Sequence, residues 1–211
     1  MNSAPSMMRI VPLAVSVMLG AVLGPRAWAE ESAKAAYDAG RLATDKVGRE
    51  RNFAKGMEIA KARLATNPDD AEGLYWLAVN MGAHALEHGK MSALPIVPRM
   101  EALLLRLDQV APRHEDAGAA RVLGRLYHQA PALISVGSNK KAERFLAKAM
   151  SLAPGHAGNL AFSADFLASH GDRSVARSYA SRCLATLSGR HLGPEEKEWV
   201  ALANEVMEST R

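Results

Sequence analysis

The feature that most constrains this chain is an order of residues that returns along it. Leu123-Gly124-x-x-Tyr127 is followed by Ala142-x-x-x-Leu146-x-x-Ala149-Met150-x-x-x-Pro154. A glycine inside a helical stretch costs ~1 kcal/mol relative to alanine, so the position needs a packing reason. A small residue on one helix lets a second helix approach closely, and the tyrosine three residues on covers the contact. Leu123, Gly124, Tyr127, Ala142 and Pro154 thus read as the packing signature of an antiparallel helix pair closed by a proline.

The same order recurs on both sides. Gly56-x-x-x-Ala60, Leu64 and Pro68 read as a second helix with its closing proline. Asp69-Asp70-Ala71-Glu72 then resembles a capping box opening a helix that carries Leu74, Leu77, Ala78 and Met81. Downstream, Leu160, Ser163, Ala164 and Leu167 belong to a first helix, Gly171-Asp172 to a turn, and Ala176, Ala180, Cys183 and Leu184 to its partner. From Phe53 to Leu184 this order resembles the tetratricopeptide repeat (TPR), which implies an all-α, right-handed helical solenoid. The units are expected at about 31–68, 71–112, 117–154 and 157–188. Gly193-Pro194-Glu195-Glu196 opens a last helix, about 194–209, with Trp199, Leu202, Ala203 and Val206 on one face, as expected of a capping helix.

The segment 1–29 reads as a Sec signal peptide: Arg9, an apolar run from Ile10 to Gly24, Pro25, and Ala27-Trp28-Ala29 before Glu30. The run is shorter than the ~20 residues that span a bilayer. Removal leaves one domain at 30–211, whose basic and acidic side chains nearly balance. The expected location is periplasmic or secreted, without stable membrane insertion after cleavage. No block of like charge marks a nucleic-acid surface. The lone Cys183 has no partner for an intramolecular disulfide and falls at a small-residue packing position, which predicts a buried, inert thiol.

The closing prolines Pro68, Pro112 and Pro154 lie wider apart than the period of a regular TPR unit, about 34 residues. The excess falls in two inserted loops, EHGKMSALPIVP and HQAPALISVGSN, both expected on one edge of the solenoid. They carry Leu94, Ile96 and Val97 in the first and Leu133, Ile134 and Val136 in the second, although inserted loops are usually polar. Three readings stay open: the loops pack on each other, cover an apolar ligand, or form a subunit interface.

The stretches 74–112 and 118–154 of the two central units, the second with Leu123, Gly124, Tyr127, Pro131, Gly137, Lys141 and Ala142, carry a narrower resemblance, to the T component associated with TRAP transporters. The resemblance implies a secreted, non-catalytic TPR-like protein assisting a periplasmic solute-binding protein for organic acids, with self-association and apolar-ligand binding. No leader cysteine is present for lipid attachment. The alternative is a general cell-envelope scaffold for a protein partner.

His84-Ala85-Leu86-Glu87-His88 spells the inverted zinc-peptidase order, but it ends the first helix of a repeat before Gly89, and the repeat already accounts for it. Neither a metal, a cofactor nor a catalytic residue is expected. On the first helices, Arg121, Arg125 and His128 recur at i, i+4 and i+7, with Tyr75 on the preceding unit and Asp165 on the next. These five are the expected groove residues, suited to a carboxylate or an acidic peptide; the competing reading is a solvated face. They do not reproduce the Lys/Asn pattern of the TPR carboxylate clamp.

Overall fold

The computed structural model describes residues 32–132 and 134–211. The leader expected at 1–29, and Leu133 of the second inserted loop, lie outside the described residues. Among the described residues every regular element is a helix: α1 (Ala33–Leu42), α2 (Lys46–Thr66), α3 (Ala71–Leu86), the single turn α4 (Lys90–Ala93), α5 (Val97–Val110), α6 (Gly118–Gln129), α7 (Asn139–Leu152), α8 (Ala157–Ser169), α9 (Arg173–Leu187) and α10 (Pro194–Ser209). None of them is long and apolar enough to cross a membrane.

Local chemistry sets most helix starts. Ser32, Asp45, Ser138 and Asp172 each accept a hydrogen bond from a backbone N–H three residues on. At α3 the cap is Asp70, accepting from Gly73 N at 2.7 Å. The expected capping box is therefore corrected: counted from Asp70, position N3 is Gly73, and Glu72 turns to His114 instead, 3.7 Å away. The partial box sits at α10, where Glu196 Oε2 accepts the Gly193 N–H at 2.9 Å.

Successive long helices pack side by side, α1 on α2, α2 on α3, α3 on α5, α5 on α6, α6 on α7, α7 on α8 and α8 on α9. Alternate helices also touch, α1 with α3 and α6 with α8, so the first helix of each pair lines a shared inner face. Two apolar clusters result, one spanning α1 to α7 and reaching Phe166, the other joining α8, α9 and α10. Leu123, Gly124, Tyr127 and Ala142 are all buried, whereas Pro154 is exposed in the turn after α7. Cys183 is fully buried, and burial pushes its thiol up to about 11.

One connection has no counterpart in the sequence reading. The last helix, α10, lies against α8 and α9 and also meets α1, where Arg41 pairs with Glu198. The inner face is thereby closed at one end, by the first turns of α10.

Candidate functional site

The inner face carries two polar centres. In the first, Arg121 is only 4% exposed. Its Nη1 donates to the carbonyls of Glu115 (3.0 Å) and Asp116 (3.3 Å) and to Asn159 Oδ1 (3.3 Å), while Nη2 donates to Tyr75 Oη at 3.1 Å. The two carbonyls belong to a turn of three consecutive left-handed residues, Glu115, Asp116 and Ala117, with φ of 49°, 52° and 65°. Left-handed backbone is unfavourable for residues with a β-carbon, so this turn needs the guanidinium and Asn159 to hold it. Asn159 Nδ2 donates to Asp116 O at 3.2 Å, to Ala149 O at 3.1 Å and to Ala153 O at 2.9 Å.

The placement of Tyr75 and Arg121 corrects the expectation of an open stripe. Both are buried: Trp199 of α10 lies 5.9 Å from the Arg121 guanidinium, and Tyr75 packs into the larger core cluster against Trp76 and His114. Glu195 follows into the same place. Burial raises its carboxyl above the usual range, against the pull of Arg121, Lys34, Arg41 and a Tyr37 hydrogen bond.

The second centre joins the other three groove residues. Arg125 of α6 pairs with Asp165 of α8, and His128 Nε2 lies 3.5 Å from the same carboxylate oxygen. The three side chains, Arg125, Asp165 and His128, are 23%, 25% and 14% exposed, so they remain reachable from solvent. Burial works to raise the Asp165 carboxyl, but the hydrogen bond to His128 and the charge of Arg125 outweigh it and hold it below its usual value. Phe162 stacks under Arg125 at 4.8 Å, and Phe166 and His170 flank His128 at 5.3 and 5.9 Å. A cation held over one aromatic ring beside one carboxylate suits exchange with a second carboxylate brought by a ligand.

A pocket of about 540 Å³ opens beside the first centre, lined by residues that include Asp116, His156, Arg190, Glu196 and Trp199. Burial and the neighbouring Arg121 push His156 down to about 4, so its neutral Nδ1 accepts the Gly158 N–H at 3.2 Å and caps α8.

The inserted segments differ from the expected pair of loops. The first is helical: α4, a 3₁₀ turn at Leu94–Ile96, and then α5, whose first residue Val97 is buried. Ile96 and Val136 are partly buried against the larger core cluster, Leu94 is half-buried, and Ile134 is 63% exposed. The apolar content of these segments therefore divides between core and surface.

The order His84-x-x-Glu87-His88 does not stay on one helix, since α3 ends at Leu86. Glu87 accepts from Arg49 Nε at 2.9 Å and His88 Nε2 sits 3.2 Å from Glu50. Another group was not legible in the sequence: Glu72, His114 and Glu115 each bring a possible ligand atom to within 4.8 Å of the others. Such a set of one imidazole and two carboxylates suits a divalent cation. Only the left-handed turn and the neighbouring start of α3 bring these residues together, and neither has a spacing signature.

The helical arrangement has a solved parallel. A crystal structure of a thermophilic TPR protein from Thermus thermophilus superposes with a TM-score of 0.57 at 18% identity, over 87% of this chain and 86% of that one. The likeness establishes a TPR-like fold. Among curated proteins no sequence matches the chain. The family model of the TRAP transporter T-component matches residues 29–195, spanning every helix from α1 to α9 and the start of α10. With the repeat order, the widened central units and the matched span in agreement, the chain belongs to the TRAP transporter T-component family.

Proposed function

We propose that this protein is an exported, non-catalytic binding component of TRAP-type uptake in the periplasm, working through contact with the solute-binding protein of its transporter. Family membership and the TPR-like fold give it a transport accessory role. The observation that carries the finer reading is the half-buried cluster of Arg125, His128 and Asp165 on the face shared by α6 and α8. Its arginine is pre-positioned over Phe162, and its present carboxylate partner belongs to the same chain. A carboxylate of an organic acid or of an acidic peptide segment replaces Asp165 on Arg125 without leaving a buried charge alone, since His128 remains beside Asp165.

The test is recovery of the tagged protein from its native envelope, with and without Arg125→Ala. The reading expects the solute-binding protein in stoichiometric amount with the natural chain and its loss with the variant. Recovery of an envelope-assembly protein instead, unaffected by Arg125→Ala, contradicts it and favours the general scaffold.

A further inference from the structure

The helix ends form two edges of unlike character. Because the long helices run antiparallel in sequence order, the junctions inside the pairs lie along one edge. The junctions between pairs lie along the other. Contacts of the junctions and of the helix turns that adjoin them bind the first set into a continuous strip. Arg49 reaches Glu87 at 2.9 Å and His88 reaches Glu50 at 3.2 Å, joining the first two junctions. Glu101 accepts from Tyr127 Oη at 2.6 Å and pairs with Lys141 at 3.3 Å, joining the next two. His128 and Asp165 link the third to the fourth.

This strip gathers the exposed apolar side chains. Seven large hydrophobic residues are exposed among the described ones, and six of them, Leu42, Val47, Leu86, Met91, Ile134 and Val175, lie in the junctions inside pairs. Val110 alone lies on the other edge. Charge divides the same way. Taking each junction from the last residue of one long helix to the third residue of the next, the apolar edge covers 42–48, 86–99, 129–141 and 169–175, with six Lys/Arg against three Asp/Glu. The opposite edge covers 66–73, 110–120, 152–159 and 187–196, with two against seven. Net charges of +3 and −5 thus face in opposite directions. On the apolar edge Lys90, Arg99, Lys140 and Arg173 have no ion-pair partner among the described residues, while Asp45 and Asp172 are occupied as helix caps.

We propose that this edge is a docking surface for an anionic lipid bilayer. Singly spaced apolar side chains interleaved with unpaired lysine and arginine suit the headgroup zone, where the side chains enter the acyl boundary and the cations meet lipid phosphates. The acidic edge is repelled by the same surface, so the molecule adsorbs in one orientation, with neither edge spanning the bilayer. A protein partner of ordinary composition gives no reason for a net basic charge and six of the seven exposed large apolar side chains to gather at the same four junctions.

The experiment uses the full chain with one probe site at a time. Cys183 is buried, so an environment-sensitive fluorophore goes to the introduced thiol of Met91→Cys, Ile134→Cys or, as the opposite-edge control, Val110→Cys. On vesicles rich in phosphatidylglycerol the probes at 91 and 134 shift to the blue and the probe at 110 does not. The shift is absent on phosphatidylcholine vesicles and reversed by salt. The double variant Lys90→Glu, Lys140→Glu weakens sedimentation with the anionic vesicles by about tenfold or more. Equal shifts at all three sites, shifts indifferent to lipid charge, or binding that leaves the edge probes unshifted, as attachment through the apolar segment at 10–24 alone produces, overturns the proposal.

Discussion

Leu146 of α7 occupies the space that a β-carbon on Gly124 of α6 would need, its Cγ 2.6 Å and its Cδ2 2.7 Å from that position. The Leu146 backbone N is also only 3.2 Å away, so rotating the leucine does not relieve the overlap and α7 itself must move. Gly124→Ala gains ~1 kcal/mol of helix propensity but incurs an overpacking cost of roughly 1–3 kcal/mol. The expected outcome in urea denaturation is a net loss of stability. Leu146→Ala costs less stability in the Gly124→Ala background than in the natural chain, because the added methyl fills part of the space it vacates. Equal costs in the two backgrounds contradict the notch.

The guanidinium of Arg121 supports the turn at Glu115–Ala117 through two carbonyls at once. A lysine cannot present that fork. Arg121→Lys is expected to destabilise the protein by about 2–4 kcal/mol, since it removes the arginine donors from the Glu115 carbonyl, Asn159 Oδ1 and Tyr75 Oη and leaves Asp116 O to Asn159 alone. Hydrogen exchange checks the location: the amides of Gly118 and Arg121, which donate to His114 O and Ala117 O across the turn, lose protection before those of α9.

His156 makes folding sensitive to mild acid. Its folded pKa, about 4, lies below the ordinary 6.5. The stability it contributes is therefore complete above pH ~6.5 and is lost as pH falls toward 4. The ring is only partly buried, so the loss is about 2 kcal/mol rather than the full linkage value. Glu195, raised by burial, acts in the opposite sense over the lower part of that window. Replacement isolates the histidine: His156→Asn keeps a capping acceptor and is expected to flatten the stability profile across that window, measured as thermal midpoints.

The helices and their pairing were legible because small residues, caps and closing prolines act over a few positions. Gly124, Ala142 and Ala180 announce close helix contacts, Asp69-Asp70 announces the start of α3, and Gly171-Asp172 announces the turn before α9. The regrouping of the groove residues was not legible. Arg121, Arg125 and His128 share a helix face by spacing, but the contact of α10 with α8 divides them, burying Arg121 under Trp199 and leaving Arg125 and His128 half-open beside Asp165. Sequence spacing fixes which side of α6 a residue occupies; it does not tell what covers that side. The first insertion illustrates the same limit. Leu94 to Val97 reads as a greasy loop, yet Pro95 and Pro98 sit early in helical turns, where proline is tolerated, and Val97 begins α5.

Arg125 connects the fold to the proposed role. Truncating it leaves Asp165 with His128 for company, so Arg125→Ala is expected to lower stability by only about 1 kcal/mol. Its effect on binding is larger, about 2–5 kcal/mol for removing one side of a charge-assisted pair at an interface.

Calorimetric titration of the purified protein with the solute-binding protein of its own TRAP transporter tests the central claim most directly. The account predicts saturable binding that Arg125→Ala weakens about thirtyfold or more, as removal of one side of a charge-assisted pair at an interface does, while circular dichroism of the variant is unchanged. No heat of binding with the natural chain, or binding untouched by Arg125→Ala, contradicts it.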